Sequence, residues 1–226
     1  MKAQPESAAA WAGIRWLCQH DLYALAFLLN HDRPDNALTP GLHKPLCEFI
    51  QTTPYKKNLY LQARGSFKTS IITVARNIQR VLQNPQIRIL IGSNKSENAE
   101  AMLAELKGHL LNPWLLRAFP DILWADPEKD AEKWTTSAIT VKRARRTKEA
   151  TIETIGVTGE LTSKHYDHGT FDDIVGKENS QTRELREGVI SFLRIAESLF
   201  DPGATQDSTG TPWHYADAWA WLLEQQ

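Results

Sequence analysis

The chain has 226 residues, which fits one large domain or two small ones and excludes a large multi-domain machine. Its 26 basic and 27 acidic residues give a formal net charge of −1, so an overall basic nucleic-acid coat is excluded and any polyanion site must be a local patch. Two cysteines, Cys18 and Cys47, cannot build a disulfide framework or a four-ligand zinc site. The longest apolar run, residues 24–29, is too short to cross a membrane, and the N-terminus lacks a secretory pattern. We therefore expect a soluble intracellular domain.

In the first half of the chain, helical and strand patterns alternate. Apolar periodicity predicts helices over 7–30, over 40–50 and from Lys68 onward, and strands over 58–61 and 87–91. Residues 31–36, with their proline and aspartates, predict a loop. Asn94, followed three residues later by Glu97, predicts the capping box of a further helix.

The second half continues the same alternation. It is predicted to contain an irregular acidic loop over 120–135, strands over 138–142 and 151–155, and a helix over 180–200. Alternating strands and helices predict an α/β fold with a mostly parallel sheet.

Residues 60–70 lie between a predicted strand and a predicted helix, the arrangement that a phosphate-binding loop requires. Lys68 and Thr69 occupy the last two positions of the pattern G-x-x-x-x-G-K-[ST], whereas Gln62 and Phe67 stand where its glycines belong. An ordinary strand-to-helix turn with a solvated Lys68 explains this segment equally well.

Adjacent carboxylates follow a short extended stretch, residues 168–171. A phosphate-loop ATPase needs one acid near Mg²⁺ and a second that orients the attacking water. Asp172 suits the first role and Asp173 the second. A surface turn with two solvated aspartates is the alternative, because the stretch before them is poor in apolar residues.

Several segments resemble, in order, the ATPase domain of the large terminase subunit, the DNA-packaging motor of tailed bacteriophages. Residues 63–69 resemble its deviant Walker A loop, in which an arginine lies four residues before the lysine, and 171–175 resemble its Walker B segment with the double Asp. The remaining matches are the helix 42–49, the strand and helix 89–99, the run 158–167, the turn 178–180 and the coupling motif 209–214. Their common order, over roughly residues 38–219, makes the resemblance specific.

This resemblance implies a three-layer P-loop NTPase fold of the ASCE/RecA-like type, with a mostly parallel central sheet flanked by helices. Residues 1–226 would form the motor domain, with 1–37 as an N-terminal helical extension and about 212–226 as the start of a lid or linker helix. The family's nuclease domain would have no room before Gln226, so no nuclease activity is expected. Residues 204–208 depart from the family, because they are polar where an apolar strand is expected.

The resemblance also implies Mg²⁺-dependent ATP hydrolysis and assigns roles to residues. Lys68 would hold the β- and γ-phosphates, Thr69 and Asp172 would bind Mg²⁺, and Asp173 would orient water. Arg64 would either act on the γ-phosphate or brace the loop. The ATP-binding residues would be Gln62, Ala63, Arg64, Gly65, Ser66, Phe67, Lys68, Thr69 and Ser70. Thr209, Gly210 and Thr211 would sense the nucleotide state, a plain turn being the alternative.

One concentrated basic run, residues 142–148, contains Arg143, Arg145 and Arg146. These arginines would contact DNA phosphates or supply an arginine finger to a neighbouring subunit; a solvated hairpin is the alternative. The implied partners are the double-stranded DNA backbone, the portal protein and the small terminase subunit. Copies of this chain would also form a homo-oligomeric ring on the capsid, whereas the isolated chain would be a monomer. The implied location is the host bacterial cytoplasm, with transient residence on the procapsid.

Two alternative functions remain open at this stage. One is a helicase-like ATPase that acts on nucleic acid outside packaging. The other is a nucleotide- or DNA-binding assembly module without turnover.

Overall fold

A computed structural model describes residues 7–31, 38–160 and 163–224. They contain a six-stranded sheet in the order β1-β6-β5-β2-β4-β3. The strands are β1 (Lys57–Leu61), β2 (Ile89–Ser93), β3 (Ala138–Ile139), β4 (Ile152–Gly156), β5 (Tyr166–Asp172) and β6 (Phe200–Gly210). Neighbouring strands are parallel except for β3 and β4, which are antiparallel. The predicted α/β fold with a mostly parallel sheet flanked by helices is confirmed.

Helices cover both faces of this sheet. They are α1 (Ala8–His20), α2 (Leu22–Asn30), α3 (Pro40–Thr52), α4 (Arg76–Gln83), α5 (Ser96–Leu110), α6 (Pro113–Ala118), α7 (Pro127–Asp130), α8 (Arg183–Glu197) and α9 (Ala218–Glu224). A π-helical segment, Thr69–Ala75, runs directly into α4. In the described part of the chain, none of the helices combines the length and apolarity needed to cross a membrane.

Successive side chains of β5 point to opposite faces, as in any strand. Thr170 and Asp172 contact the helix 69–83 on one face, whereas Phe171 packs edge-on against Phe192 of α8 on the other. Helices α1 and α2 join the core on the first face through Cys18, Leu22 and Leu25, all fully buried. Three layers result, with the sheet in the middle.

The polar segment 204–208 lies in β6, between β1 and β5 in the interior of the sheet. Asp207 is 1% exposed and accepts hydrogen bonds from Arg80 at 2.9 Å and Asn58 at 3.1 Å. His168 lies beside it, and burial together with the charges of Arg80 and Arg76 lowers its pKa well below the usual value, so the ring is neutral. A polar strand is tolerated here because its side chains have buried partners.

Two local predictions differ from the structure. The helix predicted over 7–30 is interrupted at Asp21, whose side chain caps α2 by accepting from Ala24. The capping box at Asn94 is wrong, because α5 begins after Lys95 and the Asn94 side chain accepts from Asn98 instead. The loop predicted over 31–36 lies, beyond its first residue, outside the described residues.

Candidate nucleotide site

Parallel strands bring their carboxyl ends to the same edge of a sheet, and three predicted site segments meet there. Gln62 follows β1, Thr211 follows β6, and Asp172 is the last residue of β5. Backbone hydrogen bonds tie them together. The Gln62 N–H donates to the Gly210 carbonyl at 3.4 Å, and the Asp173 N–H donates to the Thr209 carbonyl at 2.9 Å.

The predicted phosphate loop wraps a cleft of about 230 Å³ lined by residues 65–70. Gly65 adopts a φ of 78°, a conformation that glycine reaches without steric cost. Lys68, at the base of the loop, is 7% exposed and forms no ion pair with any residue in the described ranges. A largely buried lysine that forms no ion pair and lines a cleft at a helix start is suited to an anion.

Phe67 stands where the phosphate-loop pattern has a glycine, and its backbone shows why. Its φ is 57°, in the left-handed region that favours glycine. The phenyl ring packs edge-on against the buried ring of His43, with ring centroids 5.6 Å apart. The loop therefore keeps the backbone conformation typical of glycine and holds Phe67 in it through tertiary packing.

Asp172 is fully buried beneath the loop, facing the helix that carries Lys68. The Thr73 hydroxyl donates to its Oδ2 at 2.6 Å, while Oδ1 is buried and has no hydrogen-bond partner among the described residues. Burial raises the pKa of this carboxyl to about 6, against the hydroxyls of Thr73 and Thr69 and, more weakly, the charge of Lys68. A buried carboxylate oxygen without a donor is suited to a cation.

A second cleft, of about 290 Å³, adjoins the loop and contains the other predicted catalytic residues. Arg64, Asp173, Thr211 and Trp213 all line it. The Arg64 guanidinium lies 5.0 Å from the centre of the Trp213 ring, a cation–π contact. Asp173 has a φ of 45°, so the chain leaves the extended conformation of β5 at this residue. The structure thus brings Arg64 and Asp173 to one cavity.

The predicted coupling residues connect the two loops of the site. The Thr209 hydroxyl donates to the Tyr60 carbonyl at 3.1 Å, and the Thr211 hydroxyl donates to the Gln62 carbonyl at 3.4 Å. A Cβ on Gly210 would lie 2.5 Å from the Trp219 ring of α9. Glycine at 210 therefore lets α9 approach the end of β6 closely.

The basic run lies away from this edge. Residues 142–148 precede β4 and therefore lie at the amino edge of the sheet, where the Arg145 N–H donates to Gln86 just before β2. A five-residue strand, roughly 16 Å long, separates the two edges. The Arg143 side chain is 4% exposed and donates to the Glu149 carbonyl at 2.8 Å, so it braces the loop. Arg145 and Arg146 are exposed.

Sequence reasoning missed the polar face of the helix that follows the loop. Thr73, Asn77 and Arg80 are buried or nearly so and contact β5 and β6. Their spacing of four and three residues is the signal that could have found them, because it places three polar side chains on one face of the helix.

No family model matches this chain. The large terminase subunit of Enterobacteria phage T3 is 28% identical over 149 residues, which are 65% of this chain and 24% of that protein. The predicted resemblance to the large terminase subunits is confirmed. The match covers only about a quarter of the length of the T3 subunit, so the activities of the whole T3 subunit are not assigned to this chain.

Proposed function

We propose that this chain is the ATPase motor of a terminase-type packaging machine, hydrolysing ATP with Mg²⁺ to drive double-stranded viral DNA into a procapsid. The observation that carries the proposal is the meeting of the Lys68 loop, the acids Asp172 and Asp173, and the segment 209–211 at one edge of a parallel sheet. The similarity to the T3 terminase supports the packaging role.

The proposed fold is that of a P-loop NTPase, with residues 1–226 as the motor domain. The sheet order supports it, because β6 lies between the strand that precedes the phosphate loop and the strand that ends in the acids. Residues 1–37 would be an N-terminal extension, and 212–226, which include α9, the start of a lid or linker.

The residues beneath the loop fit a magnesium ion. No group of three or more His, Cys, Asp or Glu side chains within the described ranges is arranged to hold a metal. Magnesium, however, is commonly held by one or two carboxylates together with substrate phosphates. Asp172, with its unpartnered Oδ1, and the Thr69 hydroxyl would hold it. When bound, the ion would neutralise charge on the phosphate oxygens.

The chain's own side chains would do the remaining work. Lys68 would hold the β- and γ-phosphates, the backbone N–H groups of residues 62–70 would surround them, and Asp173 would orient the attacking water. Arg64 leaves two roles open, since its guanidinium lines the cleft of Asp173 and also lies against Trp213. It would either approach the γ-phosphate or brace the loop.

The end of β6 would couple ATP hydrolysis to movement. Thr209 to Thr211 hydrogen-bond both to the phosphate-loop side and to the acidic side of the site, so displacement of either side changes the environment of β6. The proposed partners are DNA phosphates, the portal protein, the small terminase subunit and further copies in a ring. Arg145 and Arg146 would serve as trans fingers or DNA contacts.

The test of the site is Lys68→Ala, with Lys44→Ala as a matched control whose ammonium is half-exposed on α3. Loss of Lys68 should lower ATP hydrolysis by about 10²-fold or more, because an electrostatic contact to the reacting phosphates disappears. A phosphate-release assay measures this, and equal activity in both variants would contradict the assignment.

A second measurement separates the motor from an assembly module without turnover. A non-hydrolysable ATP analogue is titrated into the wild-type chain at the protein concentrations that are used in the phosphate-release assay. Binding of the analogue without phosphate release from ATP, with and without double-stranded DNA, would favour the module.

A further inference from the structure

Three polar side chains form a ladder between the helix 69–83 and the sheet. Thr73 contacts Asp172 at 2.6 Å, Asn77 contacts Thr170 at 3.0 Å, and Arg80 contacts Asp207 at 2.9 Å. The first two rungs reach β5 and the third reaches β6.

Burial makes this ladder rigid. Four of its residues are each at most 1% exposed: Thr73, Asn77, Thr170 and Asp172. Breaking one of their hydrogen bonds would leave buried polar groups that water cannot reach. The Asn77 amide also donates to the Thr73 carbonyl at 2.9 Å. Asn77 therefore holds the Thr73 backbone, while Asp172 accepts from the Thr73 hydroxyl.

The backbone at Thr73 is also unusual. Thr69–Ala75 is π-helical, a form that occurs mostly as short insertions, often at functional sites. Residues four apart lie on one side of a helix. The Thr73 hydroxyl donates to the Asp172 carboxylate, and the Thr69 hydroxyl lowers the pKa of the same carboxyl. The π-helical segment thus presents two hydroxyls to one buried carboxylate.

We propose that Thr73 is a positioning residue, which holds Oδ2 of Asp172 so that Oδ1 remains available to the magnesium ion. The inference rests on the proposed function, since it takes Asp172 as the magnesium-binding acid. A carboxylate bound through one oxygen is normally oriented by a hydrogen bond to the other, and loss of such a contact costs about 10–100-fold in metal affinity. Thr73 supplies that contact from within the helix that also carries Lys68.

The test compares Thr73→Val, which keeps the shape and removes the hydroxyl, with Thr73→Ser, which keeps the hydroxyl. Thr140→Val is the matched control, because Thr140 is 3% exposed and its hydroxyl has no hydrogen-bond partner in the part of the chain that the structure describes. Mn²⁺ affinity is measured by electron paramagnetic resonance with a non-hydrolysable ATP analogue, and analogue affinity is measured separately in EDTA. Thr73→Ala provides a second hydroxyl-free variant if the valine variant does not fold.

We expect Thr73→Val to weaken Mn²⁺ binding by about 10-fold, with Thr73→Ser within about threefold of wild type. Affinity for the analogue in EDTA should be unchanged in both. Mn²⁺ affinity equal to that of Thr140→Val would overturn the proposal, as would a parallel loss of metal-free nucleotide binding, which would indicate a distorted helix. Mn²⁺ binding needs no turnover, so wild-type metal binding without ATP hydrolysis would refute the proposed function and leave this role of Thr73 intact.

Discussion

Phe67 shows how a single residue can depart from a motif and keep its backbone. A left-handed conformation costs a side chain about 1–2 kcal/mol, yet Phe67 adopts a φ of 57° within the loop. The contact with His43 offsets part of this cost. The loop therefore places a glycine-like turn next to Lys68 without glycine.

Phe67→Gly and Phe67→Ala separate the two effects. Both remove the ring, but only glycine relieves the positive φ, so we expect the alanine variant to be less stable than the glycine variant by about 1 kcal/mol. Urea unfolding with a common m-value measures the difference. Equal stabilities, or a more stable alanine variant, would show that the φ of Phe67 stores no strain.

Glu153, in β4, is a buried carboxylate held by several donors. Burial raises its pKa, but hydrogen bonds from Lys164 at 2.6 Å, the Ala150 N–H at 2.9 Å and Tyr166 at 2.7 Å outweigh it, so the pKa lies below the usual 4.5. These contacts join β4 to the segment that enters β5.

The lowered pKa of Glu153 predicts a pH-dependent loss of stability. The unfolded chain binds this proton at a higher pH than the folded chain, so the stabilisation is present above about pH 4.5 and is lost as the pH falls through the lower folded value. The difference in unfolding free energy between wild type and Glu153→Gln should therefore decrease as the pH falls through this range. A gap that stays constant from pH 7 to pH 3 would argue against these contacts.

At the scale of elements, the helix 69–83 is held to β6 by a buried ion pair. Arg80 and Asp207 are 15% and 2% exposed at their side chains and lie 2.9 Å apart. Lys57 and Glu197 form a contrasting pair at 2.6 Å, with side chains 63% and 40% exposed. Water screens the second pair and not the first.

Arg80→Met should therefore cost about 3 kcal/mol of unfolding free energy, because it leaves Asp207 buried without its cation. Lys57→Ala, the matched control, should cost under about 1 kcal/mol. Guanidinium unfolding of the two variants tests this contrast, and similar losses in both would mean that burial does not set the strength of the Arg80 pair.

At the scale of the whole molecule, the proposed nucleotide site and the exposed arginines lie on opposite edges of the sheet. Arg145 and Arg146 therefore cannot reach the proposed ATP site of their own chain without a large rearrangement. If one copy stacks its amino edge on the carboxyl edge of the next, these arginines reach the neighbour's site.

Mixing two variants tests this arrangement. Arg146→Ala keeps an intact site, and Lys68→Ala keeps an intact amino edge, so a mixture should hydrolyse ATP faster than either alone if the finger acts in trans. Lys44→Ala serves as the charge control. If Arg146 contacts DNA instead, DNA-free hydrolysis stays at the wild-type rate and the salt dependence of DNA binding weakens, with a slope lower by about 1.

The sequence by itself determined the class of fold and the residues that meet at the site. Strand periodicity placed Lys68, Thr69, Asp172 and Asp173 after predicted strands, and parallel strands gather their carboxyl ends at one edge. The resemblance to the large terminase subunits then favoured a site over the plain turns that fitted each segment alone. The order of motifs likewise indicated the terminase resemblance, which the T3 relative confirms.

Only the tertiary structure decided how those residues are held. It made the polar residues 204–208 an interior strand, since Arg80 and Asn58 reach Asp207 from distant parts of the chain. It placed the basic run at the far edge and gave Thr73 its contact with Asp172. Local periodicity cannot predict such contacts, because they depend on which buried groups from separate segments meet and satisfy one another's hydrogen bonds.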